Sequence, residues 1–535
     1  MIRILLTVSL IAFASHGWAA DAADKFDVEL KPANLSQWKL IEGHWSVLDG
    51  LLEQTAPERL TTAILTGPAF GEFFKLSAEF NIRKTGSGVR AAALVFRATG
   101  TKTFYWLHLD SKNGNVILTR SSPEVAWTEI LRRPASIKQD VWQAIRVECR
   151  GPQITVFLDD KEVLQASDPT LTAGRVGFGT SEASVAFRNV KVEGTQVTNP
   201  DPLRTERLQY QIISRGGPSG PYQAFPDACR LPNGDILAVY YAGYGHIALP
   251  TNEWPRGGRI CTVRSKDEGN TWSSPEVLFD GPLDDRDPHI AALRDGTLLC
   301  SFFTYQKLPT GKVEFDTCVV TSRDGGQTWD SEARVLAKNW AVSAPVRELT
   351  DGTLLVGIYT EADKTAYGGV LRSTDHGTTW SAPIPIDPKS GIRLDAETDV
   401  IQLQDGSVLA ALRGDGKVHL HFSVSSDLGL TWSPVKDSGF LGHSPHMTRL
   451  SSGEILLTHR LPNTAMHVSR DDGKTWQGPI AIDGVIGAYP ATVELKDKTI
   501  LVVYYEEGTG SAIRAMRIQL QPSGIQKLAW NLPGE

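Results

Sequence analysis

The sequence predicts an all-β protein built as an N-terminal β-sandwich of the jelly-roll kind followed by a six-bladed β-propeller. Three observations predict this. Gly and Pro are plentiful, 49 and 30 of 535 residues, while long helix-forming windows are scarce. Residues 24–195 run as short segments that alternate apolar and polar positions. Residues 207–535 alternate two repeated elements, the first at a spacing that runs from 62 down to 45 residues, the period of propeller blades.

The totals fit two domains. A chain of 535 residues exceeds one ordinary core, and 41% hydrophobic with 21% charged residues is normal for globular domains. The formal net charge is −7, and no basic run stands out, so a nucleic-acid partner is not expected. Residues 1–22 read as an export signal. Arg3 is followed by a mostly apolar run, Ile4 to Ala14, and then by Ala19, Ala20 and Ala22. That run is too short to span a bilayer, so a secreted or periplasmic protein without a membrane span after signal removal is expected. Five cysteines lie mostly in strand-like apolar segments and read as buried thiols, with one disulfide left open. No Cys/His spacing suits zinc, so neither a metal nor a cofactor is expected.

The alternating segments of 24–195 are Phe74–Lys84, Arg90–Thr99, Phe104–Ser111, Val141–Cys149, Ile154–Asp159, Arg175–Gly179 and Val185–Gly194. Each reads as a strand with one buried face. The run from Trp142 through Phe157-Leu158-Asp159-Asp160 to Gly177-Phe178-Gly179 and Phe187-Arg188-Asn189-Val190 resembles concanavalin-like jelly-roll domains, including the 3-keto-disaccharide hydrolase-like family. Trp38, Trp45, Tyr105, Trp106 and Trp127 could stack on sugar rings, although most aromatics in such a domain are core. Residues 196–206, with Pro200 and Pro202, read as an extended, solvated linker.

In 207–535 one element reads Leu-x-Asp/Asn-Gly-x-Leu/Ile/Val-Leu and begins at Leu231, Leu293, Leu349, Leu403, Leu450 and Leu495. Ser452 replaces Asp in the fifth copy and Lys498 replaces Gly in the sixth. This is a hairpin, two apolar strands around a tight turn. The second element, Ser-x-Asp-x-Gly-x-Thr-Trp, begins at Ser265, Ser322, Ser373, Ser425 and Ser469. It resembles the Asp-box, or BNR repeat, of the sialidase superfamily. Its Asp suits turn amides, its Gly a positive φ, and its Trp packing into the blade, so its role is structural. Propellers close by pairing the two ends of the chain, which nominates Ser511–Leu520 and Leu208–Ser214.

Chemistry is expected just before each hairpin, where the first strand of a blade meets the channel mouth. Those places hold Asp227, Asp287 with His289, Glu397, His446 and Tyr489. The sialidase resemblance implies roles for some of them. Ala488-Tyr489-Pro490 ahead of Tyr504-Tyr505-Glu506-Glu507-Gly508 looks like the family's nucleophilic Tyr and its Tyr-Glu strand. Tyr489 would attack the anomeric carbon, Glu397 would be its base, and Arg413 and Arg460 would grip the substrate, with Glu506 orienting an Arg. A neutral nucleophile suits a sugar that carries its own carboxylate.

Two departures accompany the resemblance. Ala224 stands where the family's first clamp Arg is expected, unless Arg256, Arg259 or Arg286 replaces it. The acid/base Asp of the loop before the first Asp-box is absent, and Glu253 is its stand-in, with Asp227 and Asp287 as further carboxylates. The reading is an exported glycosidase, exo-sialidase-like, acting on a glycan or oligosaccharide. Two other classes stay open: a non-catalytic glycan-binding propeller, motivated by Ala224, and a polysaccharide lyase or inverting hydrolase using Asp227, Asp287 and Glu397 with His289 or His446.

Overall fold

The computed structural model describes residues 25–30, 38–48, 51–55, 61–83, 90–123, 127–198, 200–205, 209–216, 219–361, 366–461, 463–485, 487–507 and 511–530. The expected export signal lies outside them. No helix among the described residues is long and apolar enough to cross a membrane.

The N-terminal unit is two antiparallel sheets face to face. One runs Lys161–Ser167, Gln153–Leu158, Gln143–Arg150, Phe70–Ile82, Val185–Gln196, Leu51–Gln54 and Trp45–Leu48, with Lys25–Leu30 also on Val185–Gln196. The other runs Thr128–Pro134, Asn115–Ser121, Phe104–Asp110, Ala91–Ala98, Arg175–Ser181, Thr61–Leu65 and Trp38–Glu42. Between them Phe74, Phe80, Phe96, Tyr105, Phe178 and Phe187 form one core. Strict alternation holds in Gln143–Arg150, which buries every second residue. Ala91–Ala98 and Phe104–Asp110 are buried on both faces instead. Ile64, Val95, Phe104 and Trp106 form a second cluster on the outer face, partly under Leu203.

That second layer answers two expectations. Trp38, Trp45, Tyr105 and Trp106 are all buried, so they pack rather than present a sugar platform; Trp127 alone is partly exposed, with its ring 4.3 Å from that of His108. The segment read as a solvated linker is also held to the sandwich. Val197 N donates to Ala69 O (2.8 Å), Thr101 N to Arg204 O (2.8 Å) and Arg175 Nη2 to Asp201 O (2.8 Å). The five cysteines are free thiols, with Cys149, Cys261, Cys300 and Cys318 buried.

Six further sheets make the propeller. Blade one opens with Tyr222–Arg230 and continues through Ile236–Gly243, Arg259–Ser265 and Glu276–Phe279. Blade two spans Asp284–Ala292 to Arg334–Lys338, and blade three Ala341–Val342 to Ile384–Pro385. Blade four spans Thr398–Gln402 to Lys436–Asp437, and blade five His443–Arg449 to Gln477–Asp483. Blade six holds Gly487–Glu494, Ile500–Glu506 and Ala512–Gln521, and the early strand Tyr210–Arg215 pairs with the last of these. That pairing closes the ring and removes the open edges that a strand end would expose.

The two repeats build the same local structure each time. In all six hairpins the Leu amide bonds the carbonyl four residues on, as in Leu231 N to Asp235 O (2.8 Å) and Leu495 N to Thr499 O (2.7 Å). The fourth position needs a left-handed backbone, taken by Gly five times and by Lys498 at φ 69°. In the Asp-boxes the carboxylate accepts from turn amides and a hydroxyl: Thr271 N and Oγ1 bond Asp267 at 2.8 and 2.6 Å. The same contacts recur at Asp324, Asp375, Asp427 and Asp471.

Candidate functional site at the channel mouth

One residue per blade, six positions before the hairpin Leu, forms a ring at the mouth: Phe225, Asp287, Ser343, Glu397, Ser444 and Tyr489. All six are buried. Four of them sit at positive φ immediately before a proline: Phe225 at 52°, Asp287 at 47°, Ser444 at 51° and Tyr489 at 40°. At each, strand pairing skips a register, between Ala224 and Asp227, Arg286 and His289, His443 and His446, and Ala488 and Ala491. A bulge of this kind turns a side chain out of the ladder and re-aims it. Left-handed backbone at non-glycine residues costs of order 1–3 kcal/mol each, and such strain clusters at functional sites.

Members of the ring touch one another. Tyr489 Oη donates to Glu397 Oε1 at 2.5 Å. Ser444 donates to Glu397 Oε2 through its amide (2.8 Å) and its hydroxyl (3.0 Å). Ser343 Oγ donates to Asp287 Oδ2 at 3.1 Å. The Phe225 ring meets Tyr489 edge-on, centroids 5.0 Å apart. The second strands supply the cations. Arg413 Nη1 donates to Glu397 Oε1 at 2.5 Å, and the Arg460 guanidinium lies over the Tyr489 ring at 5.2 Å.

These contacts set the charges. Burial would raise Glu397, but Arg413, then Arg460 and the Tyr489 hydroxyl, outweigh it and hold the carboxyl at about 2. Burial and then Glu397 push the Tyr489 phenol well above its ordinary value. Burial and the Glu397 charge also lift Asp287 to about 6, against Arg286. The resting state is therefore a neutral phenol on an ionised carboxylate, beside a carboxyl that keeps its proton at mild acidity. Arg413 Nε, Arg460 Nε, His443 Nε2 and Asp287 Oδ1 are buried without a hydrogen-bond partner among the described residues. Polar atoms left so are costly unless a ligand or solvent satisfies them.

Not every residue singled out from sequence joins this group. Asp227, His289 and His446 sit two residues deeper along their strands. Asp227 accepts from Ala228 N (2.7 Å) and Ile290 N (3.0 Å), with His289 and His446 each at 3.3 Å. Asp399 does the same between blades four and five, accepting from Val400 N (2.8 Å), Met447 N (2.6 Å) and Arg347 (2.6 Å). These carboxylates stitch blades together inside the channel. Glu506 pairs with Arg514 and lies 3.9 Å from Arg215. Glu253 is exposed on the loop between the second and third strands of blade one, with no bond to the ring among the described residues.

Phe225, Ser343, Ser444 and His443 lie in the stretches before the hairpins that the sequence marks, and Glu507 beside Glu506, but none was given a role from sequence, and His246 was not singled out at all. The signal for the first three was present: counting back six from each hairpin Leu names the whole ring. Of the three arginines near Ala224, Arg286 is the one that approaches. Its guanidinium lies 5.5 Å from the Phe225 ring and 5.3 Å from that of Tyr241, and it donates to the His246 carbonyl. Arg256 bonds the Asp280 carbonyl, and Arg259 stacks over Trp254 at 4.9 Å.

Fold and site together define a six-bladed propeller of repeated Asp-box blades with its polar cluster at the channel mouth. The chain belongs to the BNR repeat-like domain family, whose profile matches residues 234–502. Residues 26–193 match a 3-keto-alpha-glucoside-1,2-lyase-like domain. Among curated proteins it is similar to the levanase of Bacillus subtilis (strain 168), 24% identical over 163 residues, 30% of this chain and 23% of the levanase. It is also similar to the sialidase of Vibrio cholerae serotype O1, 26% identical over 187 residues, 28% of this chain and 24% of the sialidase. The chain thus matches about a quarter of each curated relative's length. Among solved structures, a Hadza microbial sialidase shares the fold at 13% identity, covering 86% of this chain and 97% of that one with a TM-score of 0.50.

Proposed function

We propose that the protein is an exported glycosidase that removes terminal sugars from glycans through a covalent intermediate on Tyr489. The observation that carries this is the 2.5 Å hydrogen bond from Tyr489 to Glu397, made under two guanidiniums. As the phenol attacks the anomeric carbon its proton passes to Glu397, and Arg413 and Arg460 stabilise the charge that develops on its oxygen. Asp287, held protonated to about 6, gives its proton to the leaving-group oxygen. Arg413 is already paired with Glu397, and Ala224 offers no guanidinium. A terminal sugar without a carboxylate at its anomeric carbon therefore fits this mouth better than sialic acid does. The sandwich domain serves to bind or position carbohydrate, and the apolar N-terminal run supports the reading of an exported protein.

The test is a panel of 4-nitrophenyl glycosides that includes the sialoside, offered to the wild-type protein, to Tyr489→Phe and to Glu397→Gln. Release of nitrophenol from at least one glycoside by the wild type, and its loss in both variants, is expected. Absence of turnover across the whole panel rejects the proposal.

A further inference from the structure

Residues 244–258 join the second and third strands of blade one and fold back over the channel mouth. The segment is well tied. Gly258 N donates to Ala248 O (2.7 Å), Ala248 N to Asp284 Oδ2 (3.2 Å) and Tyr244 Oη to Leu249 O (2.9 Å). Its inner side presents the His246 imidazole, edge-on to the Phe225 ring with centroids 5.3 Å apart. Phe225 is thus flanked by His246 and by Tyr489, at 5.3 and 5.0 Å. Arg460, which covers Tyr489, also acts electrostatically on His246.

The proton order on this imidazole follows from its neighbours. Tyr222 Oη donates to Glu507 Oε1 at 2.8 Å, and Tyr505 Oη donates to Glu507 Oε2 at 2.8 Å. His246 Nδ1 lies 2.9 Å from the same Tyr222 oxygen. A phenol has one proton, and Tyr222 commits it to Glu507, so Nδ1–H must be the donor to Tyr222. A neutral His246 then carries its hydrogen on Nδ1 and leaves Nε2 bare. His246 is exposed at the mouth, and Nε2 has no hydrogen bond among the described residues. An imidazole oriented by a carboxylate through a hydroxyl, with its far nitrogen open to water, is built to take up a proton.

We propose that His246 is the proton acceptor for the second half of the reaction, a role that rests on the reading of Tyr489 as nucleophile. Water attacks the anomeric carbon of the sugar held on Tyr489, and its proton goes to His246 Nε2. The bond from carbon to the Tyr489 oxygen breaks, its electron pair stays on that oxygen, and the oxygen recovers the proton kept by Glu397. His246 then loses its proton to solvent and Asp287 regains one. Tyr222 and Glu507 are positioning residues that fix the tautomer. Burial on the inner side and Arg286, with Arg460, hold His246 below its ordinary value, against the opposing charges of Glu507 and Asp284. Acid and base work is thereby divided between two groups, Asp287 for the leaving group and His246 for the water.

The experiment uses whichever 4-nitrophenyl glycoside the full-length protein turns over, in stopped flow, with wild type and His246→Ala. The variant is expected to release one equivalent of nitrophenol in a burst and then to turn over about 100-fold more slowly. Sodium azide, which attacks without losing a proton, restores turnover and yields the glycosyl azide. Tyr222→Phe is expected to slow the steady state about tenfold and to move the acid limb of its pH profile, which a merely structural role would not do. A variant that folds as the wild type by circular dichroism yet shows no burst and no azide effect overturns the assignment. Hydrolysis that requires Tyr489 but ignores His246→Ala removes only the His246 role. If the wild type cleaves no glycoside, both readings fall together.

Discussion

Tyr489 of blade six and Glu397 of blade four meet at 2.5 Å across blade five, whose Ser444 holds the other carboxylate oxygen at 3.0 Å. Three blades thus fix one proton-transfer pair, and the pair is buried, so its geometry does not depend on a mobile side chain. Tyr489→Phe keeps the ring contacts with Phe225 and Tyr505 but deletes the attacking oxygen. Its kcat is expected to fall at least ~1,000-fold, and Glu397→Gln ~100-fold or more, with little change in Tm for Tyr489→Phe. Steady-state kinetics beside a thermal melt separates loss of chemistry from loss of fold.

The carboxylate one layer deeper has a different task. Asp399 holds Arg347 through both oxygens, at 3.1 and 2.6 Å, and accepts the Met447 amide of the next blade at 2.6 Å. Removing one partner of a buried pair strands the other. Asp399→Ala is expected to cost about 3 kcal/mol, measured by urea denaturation. A far smaller loss would mean that Arg347 finds another acceptor.

The repeat was legible because each blade spells its hairpin and Asp-box with local turn chemistry, so blade number and closure could be read from spacing, while Tyr489, Glu397 and Arg413 were singled out by the resemblance to sialidases. Phe225, Ser343 and Ser444 could have been read the same way, by register rather than by residue type. The roles of Asp227 and Asp399 could not. Both are carboxylates at strand starts, like Asp287, and only the depth of two residues along the strand separates an inter-blade stitch from a mouth group. His246 lay beyond sequence too, since its meaning depends on Tyr222 and Glu507, the latter 285 positions from Tyr222. In the sandwich the alternation rule located strands but missed the covered second face, because the packing of Ile41 and Leu203 on the outer cluster has no periodic signature.

Lys498 offers a stability gain that the repeat itself suggests. It holds φ 69° at a hairpin position where the other five copies have glycine, and its ammonium is exposed, 3.6 Å from Glu494. An exposed pair of this kind contributes little, whereas a left-handed lysine is strained by about 1 kcal/mol. Lys498→Gly is expected to be neutral to stabilising, by up to ~0.5 kcal/mol once the extra freedom of the unfolded glycine is counted, as read from the denaturation midpoint.

Buried histidines make blade five sensitive to acid. His459 Nε2 and His467 Nδ1 are 2.8 Å apart, and the His467 ring stacks on Phe440 with centroids 3.6 Å apart. Burial holds His459 at about 3 and His467 at about 4, and burial with Arg413 holds His443 at about 4. Each binds its proton less readily folded than unfolded. Their contribution is whole above about 6.5 and is lost as pH falls from there toward 4. Asp285, raised by burial to about 8, works in the opposite sense across the whole of that range, one group against three histidines. Tm is therefore expected to fall between pH 6.5 and 4, and the fall is expected to be shallower in His467→Phe, which can keep the stack on Phe440 without a titrating ring. Calorimetry of the two proteins across that range checks it; parallel curves would assign the acid sensitivity elsewhere.

Asp287 carries the last prediction, because its proton is the one the leaving group needs. Burial and Glu397 raise it to about 6, so the protonated, active form is present below that value and is lost as pH rises through it. The kcat/KM profile is expected to descend on its alkaline side with an apparent pKa near 6. Asp287→Asn cannot donate a proton but keeps the size and the hydrogen bond to Ser343. Glycosides with sluggish leaving groups are expected to slow ~100-fold or more in this variant, and 4-nitrophenyl glycosides, whose leaving group departs without help, only a few-fold. The ratio between the two substrates is the informative quantity. A uniform loss would make Asp287 a scaffold for Ser343 and Arg286, whereas a loss that grows with leaving-group basicity identifies it as the acid.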